Sequence, residues 1–175
     1  LDGAKGEKIS SEQSQPEKQA EKIDAQYDIV LTQADFDEWL EQLKNAQLFA
    51  FDTEPTSLDY MQAEVVGVSF AFEAGKAAYV PLTHCYPGAP EQLHRDDVLA
   101  ALKPILESDA HKKVGQNLKY DKSVLANHGI ELKGIAYDTM LESYVYNSSA
   151  GRHDMDSLAE RYLELKTIHF EDIAG

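Results

Sequence analysis

The sequence lacks the features that define secreted and membrane proteins. Cys85 is the only cysteine among 175 residues, so the chain can form no internal disulfide, and a reducing, cytoplasmic setting is expected. No apolar run approaches the roughly 20 residues that a membrane span needs. No basic segment followed by an apolar one resembles a signal peptide at the start. We therefore expect a protein without disulfides and without membrane contact.

Positive charge is also scarce. Sixteen Lys and Arg stand against 31 Asp and Glu, which gives a net charge of -15. This excess of acidic residues argues against a broad basic face that would bind duplex DNA. A local nucleic-acid site could still take its positive charge from metal ions. The six histidines show neither H-E-x-x-H nor H-x-x-E-H spacing, so we predict no histidine metal site.

The length of 175 residues and a hydrophobic content of 43% are enough for one domain with a hydrophobic core. Residues 1–26 are mostly Lys, Glu, Ser, Gln and Ala, with too little apolar surface to offset the entropy of ordering. We predict a disordered charged linker over 1–26 and a folded domain over 27–175. A linker of this length suggests part of a larger multidomain protein.

The first half of the domain alternates strand and helix signals. Residues 28–31 are predicted to form a strand, after which Thr32 caps a helix with Asp35 as its capping box. Three strands are then predicted, and the last two are joined by a hairpin around Gly75, so the sheet should begin antiparallel. Helical spacing and strand patterns place these elements as follows: helix face Phe36, Trp39, Leu40 and Leu43; strands at 48–53, 65–72 and 77–82.

The second half is mainly helical. Asp96 or Asp97 is expected to cap a helix that Pro104 kinks or ends, and Gly129 to stop a helix over 117–128. Short strands are predicted at 113–115 and 134–137. Two further helices follow, the first capped by Asp138, with these apolar residues expected to face inward: Met140, Leu141, Tyr144 and Val145, then Met155, Leu158, Ala159 and Tyr162. The pattern predicts a mixed sheet flanked by helices, α/β or α+β.

A pair of carboxylates follows the first buried strand. In a strand, Asp52 and Glu54 would point to the same face, because side chains alternate with period two. Two such charges roughly 4 Å apart repel by about 4 kcal/mol at an effective dielectric near 20. Proteins usually offset this repulsion with a bound cation. The pair is thus a candidate metal site, although it could also open a solvated turn before Pro55.

A second polar group lies on the helix over 117–128. Asn117 and Asp121 are four residues apart and share a face with Tyr120. Asn117 could be a simple N-cap with Asp121 solvated. Alternatively, the Asp121 carboxylate could complete the site that Asp52 and Glu54 begin.

These motifs resemble a known family. Asp52-Thr53-Glu54 is similar to the first motif, and Asn117-Leu118-Lys119-Tyr120-Asp121 to the second motif, of the proofreading 3′→5′ exonuclease domain of bacterial DNA polymerase I. The longer runs 114–121 and 151–161 also match. The resemblance implies an α/β, RNase H-like mixed sheet flanked by helices. The family's third motif, with a tyrosine and the fourth carboxylate, would lie beyond Gly175, so the domain is expected to be C-terminally incomplete.

The resemblance also implies a function in DNA replication and DNA repair. The chain would hydrolyse the 3′-terminal phosphodiester of single-stranded DNA with two Mg²⁺ or Mn²⁺ ions, Zn²⁺ being possible in vitro, beside the polymerase domain of the same parent chain. Asp52, Glu54 and Asp121 would be catalytic and metal-binding, with Asp121 acting through water. The residues expected to contact DNA are Thr53, Leu58, Gln116, Asn117, Tyr120, Arg152 and Phe170, of which Leu58 and Phe170 would stack on bases.

Other interpretations of these residues stay open. Leu58 and Phe170 could instead pack in a core or hinge. Because one carboxylate is missing, the isolated chain is expected to have little or no activity. The alternatives are a related RNA 3′ exonuclease and a non-catalytic structural or DNA-binding scaffold.

Overall fold

The computed structural model describes residues 25–168. Within them six strands and five helices form the predicted α/β arrangement, in this order: β1 Gln26–Ile29, α1 Gln33–Asn45, β2 Leu48–Pro55, β3 Val65–Glu73, β4 Lys76–Pro81, α2 Arg95–Leu106, β5 Lys112–Gly115, α3 Leu118–Asn127, β6 Ile135–Asp138, α4 Thr139–Tyr146 and α5 Met155–Leu163. Most of the predicted linker, residues 1–24, lies outside the described residues, and so does Phe170. Among the helices of residues 25–168, none combines the length and the hydropathy of a membrane-spanning segment.

All six strands belong to one mixed sheet, ordered β1-β4-β3-β2-β5-β6. The central strands β2, β3 and β4 form an antiparallel meander, which confirms the predicted antiparallel start. The hairpin between β3 and β4 turns at Gly75, whose φ of 79° favours glycine. Strands β1, β5 and β6 are parallel to their neighbours.

The two faces of this sheet differ in burial. One face carries the paired row Phe51, Phe70 and Ala78, all buried in the core with side chains from α1, α2 and α3. The opposite face carries the row Asp52, Ser69 and Tyr79, none of which is fully buried. We call this second side the site face. Its incomplete cover leaves the carboxylate-bearing end of β2 accessible.

Local capping rules hold at α1 and fail at α2. Thr32 accepts a hydrogen bond from the Asp35 backbone N–H, which confirms the predicted cap. The Asp35 carboxylate accepts the Thr32 hydroxyl, whereas in a full capping box it would accept the Thr32 backbone N–H. The predicted cap at Asp96 or Asp97 is wrong, because α2 begins at Arg95 and both carboxylates lie in its first turn. Arg95 reaches across to Glu64 on the segment before β3, at 3.0 Å, which fixes the start of the helix through a tertiary contact.

The inward faces predicted for α4 and α5 hold only in part, since Met140, Leu158 and Ala159 are partly buried but the other predicted residues are exposed. Leu141, Tyr144 and Val145 are exposed, the last by 84%, and Met155 and Tyr162 are exposed on α5. Apolar spacing is present, but residues 25–168 supply no element that covers these faces. A groove of about 630 Å³ therefore lies between α4, α5 and β5, lined by residues such as Val114, Leu158 and Tyr162.

Lys113 is a fully buried cation in β5. Its Nζ donates to the backbone carbonyls of Ile105 and Ser108, at 2.6 and 2.9 Å, where α2 ends. The ammonium also lies 5.8 Å from the centre of the Phe49 ring. Burial lowers the pKa of Lys113 to about 8, because the charged form loses its hydration.

Lys113 should make stability depend on alkaline pH. Between pH 8 and the ordinary lysine pKa of 10.5, the unfolded chain binds more protons at this residue than the folded one, so stability should rise with pH. We expect wild type to gain about 2 kcal/mol from this residue between pH 7 and pH 10. Urea unfolding at both pH values should show this gain in wild type and in Lys112→Met, an exposed control, but not in Lys113→Met. Equal pH dependence in both variants would contradict the assignment.

Candidate active site

The carboxylate pair lies within a strand rather than in a turn. Strand β2 continues to Pro55, so Asp52 and Glu54 both project from the site face, as the period-two pattern predicts. Asp52 pairs with Ser69 and Glu54 with Gly67 on β3. Asp52 is partly buried and Glu54 is exposed. The solvated-turn alternative is therefore wrong.

Asp121 reaches the same strand from α3. It is only 2% exposed, so the alternative of a solvated carboxylate is also wrong. Its Oδ1 accepts the backbone N–H of Thr53 at 2.8 Å and the Thr53 hydroxyl at 2.6 Å. Strand β5 pairs with β2 only as far as Ala50, so Thr53 lies beyond that pairing and the carboxylate takes its N–H. Thr53, predicted to contact DNA, is thus a buried donor to Asp121.

The three carboxylates affect one another. Burial raises the pKa of Asp52 to about 7, and the nearby Asp121 and Glu54 add to the shift. Although the Glu54 side chain reaches solvent, the surrounding residues remove part of its hydration and so raise its pKa, and His84 partly opposes this shift. The pKa of Asp121 is raised by burial, against the effect of its bonds from Thr53. Packing three carboxylates here therefore creates an unfavourable charge cluster that a divalent cation would neutralise.

Carboxylate oxygens are the ligands that Mg²⁺ and Mn²⁺ prefer, so the donor chemistry fits such an ion. The geometry is less complete: among residues 25–168 no group of three or more His, Cys, Asp or Glu is placed to hold a metal ion. Because one Asp121 oxygen is committed to Thr53, this carboxylate is better suited to act through water. Asp52 and Glu54 are the residues that could provide direct ligands.

The start of α3 is held by Asp138, which the sequence predicts only as the cap of α4. Asn117 occupies the N-cap position with φ 59°, but its side chain makes no capping bond. Instead the Asp138 carboxylate accepts the backbone N–H groups of Asn117 and Leu118, at 3.1 and 2.9 Å, while it also caps α4. Asp138 therefore fixes the first turn of the helix that carries Asp121. No local sequence pattern predicts this, since the two helix starts meet only in the fold.

Gln116 and Arg152, both expected to contact DNA, have protein partners. The Gln116 amide donates to the His153 carbonyl at 2.8 Å and accepts the Thr139 hydroxyl. The exposed Arg152 donates to Asp154 at 2.8 Å. Gln116 thus ties β5 to α4 and to the loop before α5, whereas Arg152 keeps part of its guanidinium open.

An exposed apolar loop follows β2. Leu58 is 91% exposed, so the alternative of core packing for it is wrong, and Tyr60 and Met61 are exposed beside it. The Tyr120 hydroxyl donates to the Ser57 carbonyl at 2.5 Å, which joins this loop to α3. The Asn127 amide donates to the carbonyls of Tyr60 and Ala63, both at 2.9 Å. Helix α3 therefore positions both Asp121 and the loop that carries Leu58.

Comparison with known proteins identifies the family of this chain. Residues 27–175 match the family model described as 3′-5′ exonuclease. DNA polymerase I of Pseudomonas aeruginosa is 65% identical over 151 residues, which cover 85% of this chain and 16% of that protein. DNA polymerase I of Rhizobium leguminosarum is 42% identical over 156 residues, covering 79% of this chain and 15% of that protein. The chain thus spans about one sixth of the length of these relatives.

The fold has counterparts among solved structures. The catalytic core of RRP6 from Trypanosoma brucei superimposes with a TM-score of 0.66 at 13% identity, covering 89% of this chain and 39% of that one. This likeness supports the predicted RNase H-like arrangement of a mixed sheet and flanking helices. With the family match over most of its length and the high identity to two polymerases, the chain belongs to the 3′-5′ exonuclease domain family of DNA polymerase I.

Proposed function

We propose that this chain is a proofreading exonuclease domain, which removes nucleotides from the 3′ end of single-stranded DNA with the help of divalent cations. The observation that carries the proposal is that Asp121, from a distant segment, binds Thr53 on β2, between Asp52 and Glu54, which both project from the site face. A role in replication and repair, a cytoplasmic location and a polymerase domain as partner in the same chain follow from the relatives and belong to the proposal.

Asp52 and Glu54 would hold Mg²⁺ or Mn²⁺, with Asp121 completing the site through water and Zn²⁺ as a substitute in vitro. When bound, two such ions supply a nucleophilic hydroxide near neutral pH and stabilise the charge on the leaving oxygen. The bond between Thr53 and Asp121 keeps the Asp121 carboxylate at the edge of β2. A carboxylate fixed in this way loses little entropy when it engages a bound ion.

The loop after β2 would receive the DNA strand. The exposed Leu58, Tyr60 and Met61 offer an apolar surface beside the carboxylates, and base contacts of this kind tolerate any sequence. Asn117, Tyr120 and Arg152 would contribute polar contacts, and Phe170 a second stacking surface. Base-independent contacts suit an enzyme that must remove any terminal nucleotide.

The function is tested on a 5′-labelled single-stranded DNA oligomer. A longer polypeptide that continues into the next part of the parent chain should shorten it from the 3′ end only with Mg²⁺ or Mn²⁺. Glu54→Gln and Asp121→Asn should lower the rate by about 100-fold or more, since each removes one of the negative charges that would hold the divalent ions. Asp97→Asn, which changes a carboxylate in the first turn of α2, is the matched control. No loss in Glu54→Gln relative to the control would refute the proposal.

One observation favours the second candidate, a non-catalytic scaffold: residues 25–168 hold no complete group of three metal-ligating side chains. Because the set of metal ligands is incomplete, the 175-residue chain alone should shorten the DNA oligomer very little in this assay.

The same assay with an RNA oligomer of matched sequence tests whether the longer polypeptide prefers DNA to RNA. Binding without any shortening by the longer polypeptide would establish the scaffold instead.

A further inference from the structure

Tyr79 lies on the site face in line with the carboxylates. It pairs with Ser69, which in turn pairs with Asp52, so these three side chains form one row across β4, β3 and β2. In the adjacent row, Glu54 pairs with Gly67 and Gly67 with Pro81. Side chains directly across a ladder share a face, so Tyr79 and Glu54 are on the same side of the sheet, one row apart.

Gly67 leaves the space through which Tyr79 approaches Glu54. A Cβ atom placed on Gly67 would lie 2.0 Å from the Tyr79 Oη and 2.4 Å from its Cζ. The phenol therefore lies directly over the Gly67 backbone, and its hydroxyl ends in the row of Glu54. The Gly67 φ is not in the left-handed region, so glycine is needed here for space rather than for conformation.

His84 fixes the end of this phenol. Its Nε2 lies 2.6 Å from the Tyr79 Oη. The His84 backbone is held in turn by the Gln92 amide, which accepts from the His84 N–H and donates to the His84 carbonyl, both at 2.8 Å. These two hydrogen bonds fix the His84 backbone in the segment that follows β4, and the contact with Tyr79 orients its imidazole. Tyr79 and His84 are thus ordered before any ligand binds.

The electrostatics agree with a position next to Glu54. Burial raises the pKa of Tyr79 to about 12, and the Glu54 carboxylate is the second cause of this shift. His84 is the group that acts against the raised pKa of Glu54. The Tyr79 hydroxyl therefore keeps its proton and remains available as a hydrogen-bond donor.

We propose that Tyr79 and His84 are positioning residues for Glu54, and that they act together as a hydrogen-bonded pair beside it. The His84 Nε2–H donates to the Tyr79 Oη, which leaves the phenol hydrogen to bind a water that also contacts the Glu54 carboxylate. This holds one carboxylate orientation for the divalent ion. The proposal rests on the proposed function, because it concerns the same metal site. Hydrogen-bond partners of metal ligands typically affect metal affinity by about 10–100-fold.

The test is Mn²⁺ binding to the 175-residue chain by calorimetry. Tyr79→Phe and His84→Ala should each weaken Mn²⁺ binding about tenfold. His84→Gln, which retains an N–H donor for Tyr79, should keep most of the affinity. Tyr86→Phe is the control, since its ring lies 6.3 Å from that of His84 but its hydroxyl makes no hydrogen bond within residues 25–168. Urea unfolding in EDTA should give similar midpoints for all four variants.

A double-mutant cycle separates positioning from general packing. In a Glu54→Gln background, Tyr79→Phe should weaken Mn²⁺ binding no further, because the residue through which it acts is gone. An equal tenfold loss in both backgrounds would overturn the proposal, as would unchanged affinity in Tyr79→Phe. If wild type itself binds no Mn²⁺, the metal site of the proposed function is what fails, and the role of Tyr79 and His84 fails with it.

Discussion

Asp52→Asn is expected to stabilise the metal-free chain at pH 8 by about 2 kcal/mol, after allowance for water that screens part of the repulsion on the open site face. Burial, with Asp121 and Glu54 nearby, raises the pKa of Asp52 from its ordinary value of 3.8 to about 7. A carboxyl with a raised folded pKa favours the folded state fully below pH 3.8. That contribution is lost as the pH rises through 7.

Urea unfolding in EDTA at pH 5 and pH 8 provides the measurement. Wild type should lose stability over this range, whereas Asp52→Asn should lose much less, because the amide does not titrate. Asp97→Asn should behave like wild type. Addition of Mn²⁺ at pH 8 should then raise the stability of wild type and leave the variant nearly unchanged. A variant that is no more stable than wild type at pH 8 would show that the carboxylate cluster carries no strain.

The same substitution should lower exonuclease activity in the longer polypeptide, since Asp52 is a candidate metal ligand. Stability and activity would therefore change in opposite directions. Such a trade-off is expected where a site keeps like charges together for a ligand that neutralises them. It also distinguishes a functional cluster from a structural one, because removal of a structural carboxylate lowers stability.

Asp138→Ala is expected to destabilise the chain by about 3 kcal/mol, the largest loss that we predict for a single polar side chain. The Asp138 carboxylate is 8% exposed and accepts four backbone N–H groups: those of Asn117 and Leu118 at the start of α3, and those of Met140 and Leu141 at the start of α4. Its removal leaves these donors without a partner at two helix starts.

Asp154→Ala is the matched control for this prediction. Asp154 caps only α5, through the Ser157 N–H at 3.0 Å, so its loss should cost about 1 kcal/mol. Asp138→Asn, which retains one acceptor oxygen, should fall between the two alanine variants. Urea unfolding ranks all three. Equal losses in Asp138→Ala and Asp154→Ala would mean that the second helix start contributes nothing.

The contrast between Thr32 and Asp138 shows how far sequence patterns reach. The Thr32–Asp35 cap and the stop at Gly129, whose φ is 70°, depend on a few adjacent residues, and both agree with the sequence-based predictions. Asp138 caps α4 as predicted, but its bonds to α3 join residues about twenty positions apart. The start of α2 at Arg95 escapes sequence-based prediction for the same reason, because Glu64 is distant in the chain.

Apolar periodicity has a comparable limit. It places the helical face of Phe36, Leu40 and Leu43 correctly in the core, yet most of the residues on the similar faces of α4 and α5 are exposed. Periodicity reports which side of a helix is apolar, whereas burial also requires another element to cover that side. The strand pattern succeeds at Asp52 and Glu54 because alternation alone decides which face a side chain takes.

Propensity and periodicity within short segments were therefore enough to predict the α/β class, most helix and strand positions, and the shared face of Asp52 and Glu54. The tertiary structure decided the contact of Asp121 with Thr53, the raised pKa of Asp52, and the approach of Tyr79 and His84 to Glu54 across Gly67. These features depend on strand register and on the distance between segments far apart in the chain, which local patterns do not encode.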